Sequence, residues 1–354
     1  GRDDARGPDI TPAFQSFNVV SPKYERDLLI ADGQIDFPIN PRNYGRARAY
    51  WDSIYRLWKP GSTAADFNLD SDYAKISQPG GNILPLRLLL SHKMVIFVSD
   101  DVHGSLFVPV VTNIFTACDA GVSVWVCGRS VIYGGENKPK LLICNGMAEW
   151  PRDQNNTARN FQYYFGAECY YYSGWSSFLY KSDRSAEDFI GTASLDTIHW
   201  PSMKVDTSRL RRYYIWDPDV APFRADIGAL PEVGYMVSTF GTEVLHLYKS
   251  KYGTQSLPDP IGISFDGRPV VHRYNRGFFR SAVSLFTPYA MDSSTADSNV
   301  VRMIRWMYEP FLYGQPGTAE FNFPTGAGAV SAEEARRIHW ETPQGLDSPL
   351  GREF

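Results

Sequence analysis

Three short apolar runs punctuate the first third of the chain: Leu28-Leu29-Ile30-Ala31, Met94-Val95-Ile96-Phe97-Val98, and residues 122–126. Each is closed by polar residues, Asp32-Gly33, Asp100-Asp101 and Gly128-Arg129-Ser130 respectively. Continuous rather than alternating apolar runs of this length predict strands covered on both faces. Between the first two, Ala47, Tyr50, Trp51, Ile54, Tyr55 and Trp58 recur at spacings of three and four and predict a helix that Lys59-Pro60-Gly61 stops. Val110, Val111, Ile114, Phe115 and Cys118 mark a second helix, with Gly121 as its terminator. Strand, helix, strand, helix, strand in this rhythm predicts right-handed β-α-β units. The expected fold is therefore α/β and flavodoxin-like: a mostly parallel sheet with helices on both faces. Ligands of such sheets bind at the carboxyl ends of the strands. Those ends carry Asp32, Asp100, Asp101, His103, Cys127 and Arg129. Asp32, Asp100, Asp101 and Arg129 are the ligand-binding candidates among them.

The pattern loosens over 146–232, where Tyr163-Tyr164-Phe165, Tyr170-Tyr171-Tyr172 and Trp175 suggest an irregular, aromatic-rich insertion. It tightens again afterwards. Tyr235–Ser238 and Val244–Tyr248 read as strands, and Ala282–Phe286 as a buried one. Ile261–Phe265 and Pro269–Tyr274 flank Asp266-Gly267, a favoured hairpin turn. Val300, Val301, Ile304 and Tyr308 mark a closing helix. This organises the chain as a linker or edge segment over 1–24, an α/β domain over 25–313, and a tail over 314–354. Ser331 and Glu334 fit a capping box for one short helix in that tail.

Charge narrows the classes of function. The 354 residues carry 35 basic and 39 acidic side chains, a net charge of -4, which argues against a nucleic-acid partner. With 43% hydrophobic residues the chain has enough apolar material for a core. No apolar run is long enough to span a membrane. The chain starts at Gly1-Arg2-Asp3-Asp4, which reads as a processed end or an excised domain. Asn155-Asn156-Thr157 is a glycosylation sequon, more simply read as an exposed polar loop.

Candidate chemistry is sparse. Cys118, Cys127, Cys144 and Cys169 form no Cys-x-x-Cys pair, so zinc and c-type haem are disfavoured. Cys118 and Cys127 read first as small core residues. A Cys144–Cys169 disulfide has no support from spacing. Asp66, Asn68, Asp70 and Asp72 imitate the start of a calcium loop, but Ser71 replaces the turn glycine and Ser77 the bidentate glutamate. Asp100, Asp101 and His103 could bind a metal or work as acid and base, although an aspartate before a helix more often caps it. Of the six histidines, His246 and His272 alternate within strands as packed residues do. P-loop, Rossmann and Gly-x-Ser-x-Gly signatures are missing, and no cofactor is expected.

Leu28–Asp32, the helix around Trp51, Met94–Asp101, Gly121–Gly128 and Gly267–Asp292 together resemble the class I glutamine amidotransferase-like fold. The segments "AGVSVWVCGRSVI" and "GRPVVHRYNRGFFRSAVSLFTPYAMD" resemble its divergent ThuA-like branch, found in secreted or surface modules of bacteria. That family's nucleophile elbow reads Gly-x-Cys-x-Gly, with a later His-Pro-Glu supplying base and acid. Here residue 125 is Trp, Gly128 follows Cys127 directly, and Thr287-Pro288-Tyr289 stands where His-Pro-Glu belongs. The resemblance therefore implies a scaffold without the triad. It implies an extracellular, cell-surface or periplasmic module with a structural or binding role. The expected partners are other protein modules, copies of itself, a glycan or a peptide. The rival reading is a hydrolase that uses Asp100, Asp101, His103 or Cys127.

Overall fold

The computed structural model describes residues 22–33, 41–76, 84–99, 110–128, 162–171, 186–192, 200–206, 229–230, 233–251 and 266–312. The three apolar runs form β1 (Arg26–Asp32), β3 (His92–Val98) and β4 (Ser123–Cys127). The first periodic segment is helix α1 (Pro41–Trp58) and the second is α3 (Val111–Asp119). Gly121, at φ +95°, ends α3. Its amide donates to Cys118 O at 2.8 Å, and that of Val122 to Ala117 O at 2.9 Å, satisfying carbonyls the helix leaves open. Two short elements lie between: β2 (Tyr73–Lys75) and α2 (Leu86–Leu90).

The later strands are β5 (Ala167–Tyr171), β6 (Ala186–Gly191), β7 (Met203–Lys204), β8 (Tyr235–Ser238), β9 (Thr242–Ser250), β10 (Pro269–Asn275) and β11 (Arg280–Ser284). Helix α4 (Ser293–Tyr308) closes the described chain before a 3-10 turn at Glu309–Leu312. Its N-cap is Asp292, whose carboxylate accepts from the Ser294 amide at 2.8 Å.

Nine strands form one sheet in the order β2-β1-β3-β4-β11-β10-β9-β6-β7, while β5 and β8 make a separate ribbon. The expected flavodoxin-like, mostly parallel sheet is not what forms. β2, β1, β3, β4 and β11 pair in parallel, but the four pairings from β11 through β10, β9 and β6 to β7 are antiparallel. The sheet is mixed. The cause is local: β10 and β11 are joined by a tight reversal at 276–279, with Gly277 at φ +89°, and a connection that short can only join antiparallel neighbours. Residues 261–265, the other arm of the hairpin expected with 269–274, lie outside the described residues. Both sides of β10 are taken, by β9 and β11. The Gly267 amide donates to Tyr248 O at 2.9 Å, closing the turn onto β9.

Helices α1 and α4 pack together on one face of the sheet, Trp58 meeting Tyr308 at 5.1 Å between ring centroids. Trp51 reaches Trp125 of β4 beneath them at 6.4 Å. Right-handed crossovers put α2 and α3 on the opposite face. Tyr164 stacks there on Phe115 of α3 at 4.5 Å, and Tyr164 and Phe165 are both buried.

Candidate functional site

β1 ends in Asp32, which is only 1% exposed. The parallel register sets Ile30 beside Tyr73 and Asp32 beside Lys75. Since paired residues of neighbouring strands share a face, Tyr73 and Lys75 rise beside Asp32. The Tyr73 hydroxyl donates to Asp32 Oδ2 at 2.7 Å, and Lys75 Nζ lies 3.4 Å from the same oxygen. Arg48 of α1 closes this wall, its guanidinium carbon 5.9 Å from the Tyr73 ring centroid and its Nη2 2.6 Å from Asp70 Oδ1.

Beside this wall lies an open cleft of about 510 Å³ along β2, the edge strand of the sheet. Its polar side is Arg48, Asp70, Tyr73 and Lys75. The rest of its lining is aliphatic: Leu69, Ala74, Ile76, Leu84, Pro85 and Leu88. The charges on the polar side are matched pairwise, Arg48 with Asp70 and Lys75 with Asp32. A cleft so arranged offers apolar contact and directional hydrogen bonds without net charge.

The sheet sets Asp32, Val98, Cys127 and Ser284 in one row across β1, β3, β4 and β11. Asp32 and Cys127 thus share a face, two strands and roughly 10 Å apart, with Val98 between them. Proton transfer needs hydrogen-bond reach, which that separation does not give. Cys127 and Cys118 are outside any disulfide, each at 0% exposure. Asp100, Asp101, His103 and Arg129 lie outside the described residues, as do Cys144, the sequon and the tail.

The calcium-like loop is occupied by its own chain. Asp66 Oδ2 accepts from the Thr63 amide at 2.7 Å and its hydroxyl at 2.9 Å, and Asn68 Oδ1 from the Asp70 amide at 2.9 Å. Asp72 is buried and takes hydrogen bonds from Arg26, from His92 Nε2 at 3.2 Å and from the Asn68 amide at 2.7 Å. Burial opposes its ionisation, but the bonds from His92, Arg26 and Asn68 prevail and hold the carboxyl at a pKa of about 2. Among the described residues no group of three or more His, Cys, Asp or Glu side chains could hold a metal ion. No described helix is long and apolar enough to cross a membrane.

Sequence reasoning picked out Asp32 but missed Tyr73, Lys75 and Arg48. The available signal was the alternation in Tyr73-Ala74-Lys75, too short to separate from the polar loop around it. It also missed a second network at the amino ends of the strands. There Asp27 of β1 holds Lys59 and, at 2.8 Å, Lys93, and accepts from the hydroxyls of Tyr55 at 3.2 Å and Tyr308 at 3.1 Å.

No protein-family model and no curated protein matches the sequence. Among solved structures, the chain is similar to a polyextremophilic beta-galactosidase from the Antarctic haloarchaeon Halorubrum lacusprofundi, at 12% identity and a TM-score of 0.35. The match covers 82% of this chain and 30% of that one, so it spans less than a third of that protein. A likeness this slight carries no argument about activity.

Proposed function

We propose that this protein is a binding module rather than a catalyst, and that the cleft beside β2 holds an extended, mainly aliphatic peptide segment of another protein. The observation that carries the reading is the cleft itself: six aliphatic and four polar residues line it, the charges already matched, along the edge strand of a sheet. An extended chain fits such a site, placing alternate side chains on the aliphatic residues and its amides against the polar ones. A saccharide suits it less, since sugars stack on exposed aromatic faces and the aromatic residue that lines the cleft, Tyr73, is only 6% exposed. The role in assembly or recognition outside the cell belongs to the same proposal.

The test is a methyl-detected NMR titration with a blocked hexapeptide bearing leucine at alternate positions. Saturable shifts at Ile76, Leu84 and Leu88 are expected, with affinity weakened at least tenfold in Leu88→Glu. Unmoved methyls at millimolar peptide sink the proposal. The hydrolase reading has its own test in thiol labelling mapped by mass spectrometry. A sealed Cys127 reacts only as fast as the protein opens; rapid labelling of the native fold favours a nucleophile instead.

A further inference from the structure

Phe240 is wholly exposed, and its backbone is nonetheless held firmly. It sits in the turn from β8 to β9, where the Thr242 amide donates to Thr239 O at 3.2 Å and the Thr242 hydroxyl to the same oxygen at 2.6 Å. The Thr239 amide is tied to Gly166 O at 2.7 Å. Gly241 has φ +88°, the positive φ that a type II turn requires at its third residue. Val237, on the strand leading into the turn, is also exposed.

Tyr274 links this turn to a cation. A Cβ on Gly241 would lie 3.6 Å from the Tyr274 ring, and the Tyr274 hydroxyl accepts from Arg276 Nη1 at 2.9 Å. The Arg276 guanidinium lies 4.2 Å from the Tyr163 ring centroid and 5.4 Å from that of Tyr274. Its neighbours Arg273 and Arg280 are stacked on Trp306 and paired with Glu243 and Glu309. Among the described residues Arg276, half-buried, has no such acid, and its buried Nε has no hydrogen-bond partner.

We propose that the Phe240 turn and Arg276 form a docking surface for an acidic protein segment in which a carboxylate lies next to a large apolar side chain. The carboxylate supplies the charge that Arg276 lacks, and the apolar group covers Phe240 and Val237. Aromatic residues and arginine held rigid at a surface are the groups on which interface energy concentrates. An acidic saccharide meets the cation but leaves its hydroxyls facing Val237. The surface is separate from the cleft beside β2 and stands or falls without it.

The experiment is a phage-display selection of random peptides on the full chain, with counter-selection on the double variant F240A/R276Q. Selected peptides and a galacturonate hexasaccharide are then titrated by calorimetry. Expected are peptides carrying Asp or Glu within two residues of Phe, Trp or Leu. Their binding weakens with salt, falls at least tenfold in F240A and in R276Q, recovers in part in R276K, and is unchanged in L88E. The proposal is overturned by no enrichment, by peptides that bind the double variant equally, by peptides lost in L88E, or by saccharide binding without peptide binding. Circular dichroism of each variant confirms that the fold is kept.

Discussion

Two titratable groups, the buried His272 and the half-buried Asp119, pull the acid stability of this protein in opposite directions. His272 of β10 is fully buried, its Nε2 2.9 Å from Phe165 O and its Nδ1 2.8 Å from Ser238 Oγ. Burial lowers its pKa from 6.5 to about 4, against the pull of the Phe165 carbonyl. Between those values the unfolded chain takes up a proton that the folded one refuses, so this contribution is lost as the pH falls. Asp119, at the end of α3, does the reverse. Burial raises its carboxyl from 3.8 to about 6, although the Tyr164 hydroxyl, 2.7 Å from Oδ2, favours the charged form. Its folded form binds the proton first, so stability returns on acidification. At about 1.4 kcal/mol per pKa unit, moving from pH 7 to 4.5 takes away roughly 2 kcal/mol through His272 and restores roughly 2 through Asp119. For these two groups the profile is nearly flat.

Replacing Asp119 with Asn keeps an acceptor for Tyr164 and removes the ionisation. Urea unfolding followed by circular dichroism at several pH values reads the effect directly. At pH 7 the variant is expected to be more stable than the parent by about 2–3 kcal/mol, because a poorly solvated charge is gone. By pH 4.5 it loses about 2 kcal/mol that the parent does not. His272→Gln is the mirror image and gains stability over the same range. A D119N variant no more stable at pH 7, or with the parent's acid profile, refutes the assignment.

Other substitutions probe the packing. In Gly191→Ala the new methyl would sit 1.5 Å from the Trp200 carbonyl oxygen. Because that contact is backbone, a loss of roughly 3 kcal/mol or more is expected in chemical denaturation. Asp27→Ala leaves Lys59 and Lys93 facing each other without their shared carboxylate. A loss of about 3 kcal/mol is expected, and the double variant with Lys93→Met recovers part of it in the same assay. Asp292→Ala removes the α4 cap and lowers stability by about 1 kcal/mol, read from the shift in urea midpoint.

What could be read in advance depended on how far each element reaches. β1, β3, β4, α1 and α3 declare themselves within a dozen residues, because their burial alone dictates an apolar run or a three-and-four spacing. β2 and α2 are three and five residues long, and no period can be established over so short a stretch. Strand direction failed for a different reason. The order of runs says that β9, β10 and β11 exist, but whether they join in parallel rests on the turns and on which edges are free. The site shows the same division. Asp32 was visible because it ends an apolar run. Tyr73 and Lys75 act on it only through a register contact spanning more than forty residues.

The junction at β11 has a consequence for how the chain is made. One side of that strand meets β10 across a tight reversal, and the other meets β4, where the Arg280 amide and the Ser123 hydroxyl are 157 residues apart. During synthesis β1, β3 and β4 leave the ribosome long before β11 exists. Throughout that interval the outer rim of β4 is a nascent, apolar template open to other chains. Refolding at low concentration, or with a chaperone that shields this rim, should therefore raise the yield of native protein more than any change that stabilises the finished fold.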